Sequence, residues 1–221
     1  MLPEFNAWFL KRLLNTAKIP AIPKNETFEY TSVFLLVFTQ DETPFFLAIL
    51  KADNPGYPWR NQVALPGGHV DKNDKSSLDA AYREVKEEVG IHRNQIELIG
   101  SMGHFQTIAQ KDIEVFMGIW DGNKDTLSYD PKEISQILEI PIADFLKTHL
   151  SSHFEGRIPN IEELLYPFKD VVVWGVTARI FHYFFELLRT NLDDSIIHQL
   201  QNRPSISPDQ TGNIGDKSTK A

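Results

Sequence analysis

The stretch Gly67–Ile91, GGHVDKNDKSSLDAAYREVKEEVGI, decides how the chain is read. Its second half sets Glu84, Glu87 and Glu88 within a single helical turn. Positions i, i+3 and i+4 of a helix share a face, with Cβ atoms roughly 5–6 Å apart. Leu78, Ala81, Val85 and Val89 form a separate apolar stripe, so this helix buries one side and presents the glutamates on another. Ser76 or Ser77 supplies the N-cap, and Gly90 is a natural C-terminal stop. Like charges at this spacing cost a few tenths of a kcal/mol per pair. Taken alone, the triplet reads most simply as a solvated face.

The residues before it change that reading. LPGGHVD (Leu65–Asp71) ends a short strand in a diglycine turn. A strand, this turn, a loop and the helix bring backbone carbonyls of the turn near the carboxylates. Hard divalent cations bind that mixture of carboxylate, carbonyl and water oxygens. Arg83 stands one helical turn from Glu87, pairs with it and offsets part of the repulsion.

Outward from this segment, Leu2–Lys18 carries Phe5, Trp8, Phe9, Leu10 and Leu13 at helical spacing, an amphipathic helix docked on the body or on a second copy. Two prolines make Lys18–Glu26 an arm. Tyr30–Gln40 and Pro44–Ala52 read as a hairpin across Asp41–Thr43, and Ile96–Thr107 with Ile113–Trp120 as a second strand pair. Asn54–Gln62 is an aromatic loop; Trp59 and Arg60 there suit base stacking or a phosphate contact as well as simple loop anchoring, and Gln62 stands beside them. Pro131–Leu150 reads as a loop, a strand ending at Pro141 and a short helix, and Asp170–Asn191 as a strand running into an apolar helix. The polar residues from Asn202 to Ala221 are expected to be disordered. This organisation gives an N-terminal helix and arm (1–24), a main domain (25–191) and a C-terminal extension (192–221). The strands and helices lack a regular βαβ rhythm, so the fold class is α/β in the broad sense (α+β), a mixed sheet flanked by helices.

Composition narrows the function. The chain has 221 residues and a formal net charge of −8, with no broad basic surface for nucleic acid. An anionic substrate therefore needs local Lys or Arg, or a bound cation. The absence of cysteine excludes disulfides, thiolate metal sites and a cysteine nucleophile. No apolar run approaches the ~18 residues of a membrane span, and the N-terminus lacks a signal-peptide pattern. The expectation is a soluble, cytoplasmic protein with no membrane or nucleic-acid partner. Neither a G-x-S-x-G elbow nor a G-x-x-x-x-G-K-[ST] loop occurs.

Gly67–Ile91 resembles the box of the Nudix family, G-x5-E-x7-R-E-U-x-E-E-x-G-U, where U is aliphatic. Arg83–Ile91 matches at every specified position. In the first half, counting from Gly68 puts Asp74 at the glutamate position and leaves one residue too many before Arg83. That variant, with NQVALPGGHVDKND (Asn61–Asp74) and VWGVTARIF (Val173–Phe181), is similar to the coenzyme A diphosphatase branch. The upstream signature of that branch departs here: Lys51 stands near an arginine position, Asn61 replaces a glycine, and Arg60 is the nearby arginine.

The resemblance implies an αβα sandwich and hydrolysis of a nucleoside diphosphate linked to another moiety, with Mg²⁺ or Mn²⁺ as cofactor. Glu84 and Glu88 become the main metal ligands, Glu87 contributes directly or through water, and the Gly67 carbonyl is the backbone ligand. Arg83 orients the carboxylates, with Glu87 as its partner. Glu88 or a later carboxylate acts as general base; Glu133 is the candidate, against a plain solvated loop glutamate. Trp59, Arg60, Gln62 and Phe105 are candidate substrate contacts. Coenzyme A or acyl-CoA is the first substrate to consider, and ADP-ribose or a nucleoside diphosphate sugar the alternative. A catalytically inactive binding module is the reading from another class, and a homodimer stays open.

Overall fold

The computed structural model describes residues 2–22, 28–56 and 59–201. The helix α1 (Ala7–Asn15) is shorter than its apolar pattern, because the Asn6 side chain accepts from the Phe9 N–H at 3.0 Å and starts it there. Phe9, Leu10, Leu13 and Leu14 are buried, whereas Trp8 is 69% exposed and stands off the expected stripe.

β1 (Glu29–Gln40) and β2 (Thr43–Lys51) form the expected hairpin. Gln40 pairs directly with Thr43, so the turn narrows to Asp41 and Glu42, with φ of 47° and 61°. Positive φ at both central residues is the signature of a type I′ turn, whose twist suits the flanking strands.

After the short strands β3 (Val63–Ala64) and β4 (Gly67–His69) comes α2 (Ser77–Val89). Its N-cap is Ser76, whose hydroxyl accepts from the Asp79 N–H at 3.1 Å, and Gly90 ends it in the left-handed conformation. A Cβ on Gly90 would lie 2.5 Å from Ser128 Oγ, so the stop is also fixed by packing.

β5 (Ile96–Gln106) and β6 (Lys111–Trp120) pair antiparallel, as their sequences predict. β7 (Ile134–Pro141) runs into α3 (Ile142–Ser151), and the small hairpin of β8 (Tyr166–Phe168) and β9 (Val171–Val173) precedes α4 (Gly175–Arg189). α5 (Asp194–Gln201) is the last described element, and the tail expected to be disordered lies outside the described residues.

The main sheet runs β3-β2-β1-β6-β5, with β4 paired to β1 and β7 to β2. Only the β1–β6 pairing is parallel among the described strands, which makes the sheet mixed. β1 lacks polar alternation because both its faces are covered. Phe34, Leu36 and Phe38 point into the core shared with Ala81, Val85 and Val89 of α2. Val33, Leu35 and Val37 point the other way, into the core built with α1, α3 and α4. The result is the expected αβα sandwich. Around Phe46 the α4 residues Phe181 and Phe184 pack at 4.9 and 5.0 Å between ring centroids, so these aromatics are core.

Candidate active site

The diglycine turn sets the site because each glycine allows a different close approach. Gly67 has φ 150°, and a Cβ there would meet Ser32 O of β1 at 2.3 Å. On Gly68 a Cβ would lie 2.3 Å from Glu84 Cδ, so the carboxylate of α2 rests against the backbone of β4. Glu84, Glu88, Gly67 and Gly68 thus share the wall of one cavity of about 420 Å³. Lys51, Lys132 and Glu133 complete its charged lining.

Glu88 is the most enclosed of these carboxylates, at 8% exposure. One oxygen accepts from the Gly67 N–H at 2.9 Å, and the other from the Lys51 ammonium at 2.5 Å. Burial pushes its pKa up, and Lys51 and the amide hold it back. Glu87 faces elsewhere: its side chain is 59% exposed, bonds to Arg83 at 3.1 Å and does not line the cavity.

Arg83 does not take Glu87 as its principal partner. Its Nε and one terminal nitrogen grip both oxygens of Asp74 at 3.1 and 2.9 Å. The other terminal nitrogen bonds Glu84 at 2.8 Å as well as Glu87, and the His69 carbonyl accepts at 3.0 Å. The side-chain bond from Arg83, with the Asp71 N–H, holds the Asp74 carboxyl below the usual range. The same bond raises the Arg83 pKa further above its ordinary value.

Glu133 sits on the rim because its loop hangs from the segment after β2. The Ala52 N–H donates to the Glu133 carbonyl at 2.9 Å, and the Asn54 amide donates to the Lys132 carbonyl. The candidate substrate residues are dispersed. Arg60 is more than half exposed and lies 3.7 Å from Asp53. Trp59 and Gln62 line a neighbouring slot with Trp174 and Arg179. Lys111 joins that slot to the acidic cavity, 5.4 Å from the Trp59 ring centroid and 3.4 Å from Nε2 of His69, which lines the cavity. Phe105 is buried, packs edge-on against Tyr183 and borders a third cavity beside His182.

Sequence reasoning noted Lys51 only as a departure from an arginine signature. Its position was readable, since Leu47, Ile49 and Lys51 alternate onto the sheet face that α2 covers. Among the described residues no three acidic or imidazole groups close on one point. Two carboxylates around a glycine turn, completed by backbone and water oxygens, still fit Mg²⁺ or Mn²⁺. Such cations take few protein carboxylates and keep several waters.

Residues 29–158 match the family described as the NUDIX domain. The chain belongs to the Nudix family. Among its relatives is an uncharacterised Nudix hydrolase NudL of Photorhabdus laumondii, 29% identical over 55% of this chain and 65% of the relative. Nudix hydrolase 22, chloroplastic, of Arabidopsis thaliana is 26% identical over 67% of this chain and 52% of its own length. The chain therefore spans between half and two thirds of these curated relatives. A MutT protein from Methanosarcina mazei aligns over 80% of this chain and all of its own at 16% identity and a TM-score of 0.47. Among the described residues of this Nudix chain no helix is long and apolar enough to cross a membrane.

Proposed function

We propose that this Nudix chain is a metal-dependent diphosphatase, cleaving a nucleoside diphosphate linked to another moiety, with coenzyme A or acyl-CoA the first substrate to try. One observation carries the reading: Glu84, Glu88 and Glu133 share a cavity with Lys51 and Lys132 at the diglycine turn. A diphosphate is repelled by a chain of net charge −8 unless cations stand where it binds. The lysines supply part of that charge.

Glu84 and Glu88 would hold Mg²⁺ or Mn²⁺ with the Gly67 carbonyl, and Glu87 would act from the outer side through water. When bound, the cation neutralises phosphoryl oxygens and lowers the pKa of a coordinated water. Arg83 keeps Glu84 in place and ties the His69 carbonyl to α2. Glu133, on the rim, takes the proton from the attacking water. Lys51 and Lys132 face the phosphates. Lys111 and His69 lead from the cavity toward Trp59 and Gln62, which would meet the moiety beyond the diphosphate. Arg60 would approach it from the exposed side, and Phe105, in a different cavity, takes no part.

The test is a panel of coenzyme A, acyl-CoA, ADP-ribose, nucleotide sugars and dinucleoside polyphosphates with Mg²⁺ or Mn²⁺, products identified by mass spectrometry. Release of 4′-phosphopantetheine and 3′,5′-ADP from coenzyme A is the expected result. Activity on ADP-ribose alone moves the substrate to the alternative. No hydrolysis of any member overturns the enzyme reading in favour of a binding module.

A further inference from the structure

Lys51 ends β2 with its backbone fixed on both sides. Its N–H donates to the Gln62 carbonyl at 3.0 Å, and its carbonyl accepts from the Asn61 N–H at 3.2 Å. The side chain, 16% exposed, enters the acidic cavity and puts its ammonium 2.5 Å from Glu88 Oε1. The Gly67 N–H occupies the other Glu88 oxygen. Among the described residues Glu84 has no such lysine and is held by Arg83. The enclosed carboxylate of the site is therefore already matched by a cation that belongs to the chain.

Deleting one partner of a buried ion pair is costly because it leaves a charge uncompensated, whereas a second cation arriving at the carboxylate keeps that charge matched. Lysine suits such an exchange. It presents a single point charge on a flexible stem, whereas an arginine fork grips a carboxylate in two places. Two cations on one carboxylate oxygen repel each other, so the arrival of a divalent ion frees the ammonium. The anchored backbone keeps it within the same cavity of about 420 Å³.

We propose that Lys51 is an exchangeable counter-ion. It holds Glu88 while no divalent cation is bound and, once displaced, turns to the diphosphate. This rests on the reading of Glu88 as a metal ligand. It assigns Lys51 two linked effects that a purely structural lysine lacks: competition with the metal and attraction of the anion.

The experiment measures Mn²⁺ binding to the full chain by electron paramagnetic resonance, and pyrophosphate binding to the Mn²⁺-saturated chain by calorimetry. Lys51→Met is expected to bind Mn²⁺ about tenfold more tightly, the scale of one lost charge-assisted contact. Lys51→Arg is expected to bind it more weakly than the wild type. Pyrophosphate affinity should fall about tenfold in Lys51→Met. Lys51→Gln gives the same comparison if the methionine variant does not fold. Mn²⁺ affinity unchanged or lowered in Lys51→Met, or unchanged pyrophosphate affinity, would overturn the proposal. Glu88→Gln separates the underlying reading: if it binds Mn²⁺ as the wild type does, Glu88 is not a metal ligand.

Discussion

Gly68 and Glu84 meet with no room for a side chain between them: a Cβ on Gly68 would fall 2.3 Å from Glu84 Cδ and 2.5 Å from its Oε2. The obstructing atoms end a flexible side chain, so Gly68→Ala is expected to fold with nearly normal stability while pushing the carboxylate aside. A misplacement of about 1 Å at a reacting centre costs on the order of 100-fold in rate. Turnover of the panel member that the wild type hydrolyses, in saturating divalent cation and beside a thermal melt, checks this. Wild-type kcat would show that Glu84 is not where the chemistry needs it.

Removing the carboxylates separates their roles. Glu84→Gln and Glu88→Gln are expected to reduce turnover by orders of magnitude with the fold intact, and near-normal activity independent of metal would refute the site. Glu133→Gln under saturating metal should lower kcat by about 10²–10⁴-fold, the range of general base catalysis. An unchanged kcat would return Glu133 to the role of a solvated loop residue.

The β1–β2 turn offers a gain in stability. Asp41 and Glu42 both hold positive φ, a conformation costing an ordinary L-residue roughly 1–2 kcal/mol. Glu42→Gly should therefore stabilise the fold by about 1 kcal/mol and raise Tm by about 2–4 °C. A lower Tm would mean that the Glu42 side chain contributes more than its backbone costs.

Acid should loosen the interface between α3 and α4. His149 is fully buried, within 2.9 Å of the Tyr166 hydroxyl and 3.0 Å of Glu186. Burial, the largest influence, lowers its pKa below the ordinary 6.5, against the raising effect of Glu186. The unfolded chain then binds the proton more readily than the folded one. His149 contributes stability that is present above about pH 6.5 and is lost as pH falls through its folded pKa. Urea midpoints at pH 7.5 and 5.5 should differ in the wild type, and that difference should shrink in His149→Gln. An undiminished difference would assign the pH dependence to other groups.

The sandwich was legible because its signals are local. Runs of β-branched and aromatic residues on either side of a turn assigned β1 and β2, caps bounded α2, and the box fixed the turn beside Glu84 and Glu88 and the helix that carries them. What escaped depends on contacts distant in sequence. The Lys51–Glu88 pair spans 37 positions, and nothing near Lys51 names its partner. Trp8 fits the apolar period yet points outward, since the period marks a face without saying how wide the covering surface is. Arg83 was matched with Glu87 by helical spacing, but a loop residue, Asp74, offers both oxygens to its fork.

That fork also explains how the chain tolerates one residue more than the Nudix box prescribes between its first acid and its arginine. Asp74 closes a turn with Asp71, its N–H donating to the Asp71 carbonyl at 3.0 Å, before Arg83 seizes its carboxylate. The bond fixes where the segment starts and ends and leaves its path free. The motif is therefore a statement about endpoints in space. A search that counts residues between acid and arginine will pass over chains in which the same two groups meet across a longer bridge.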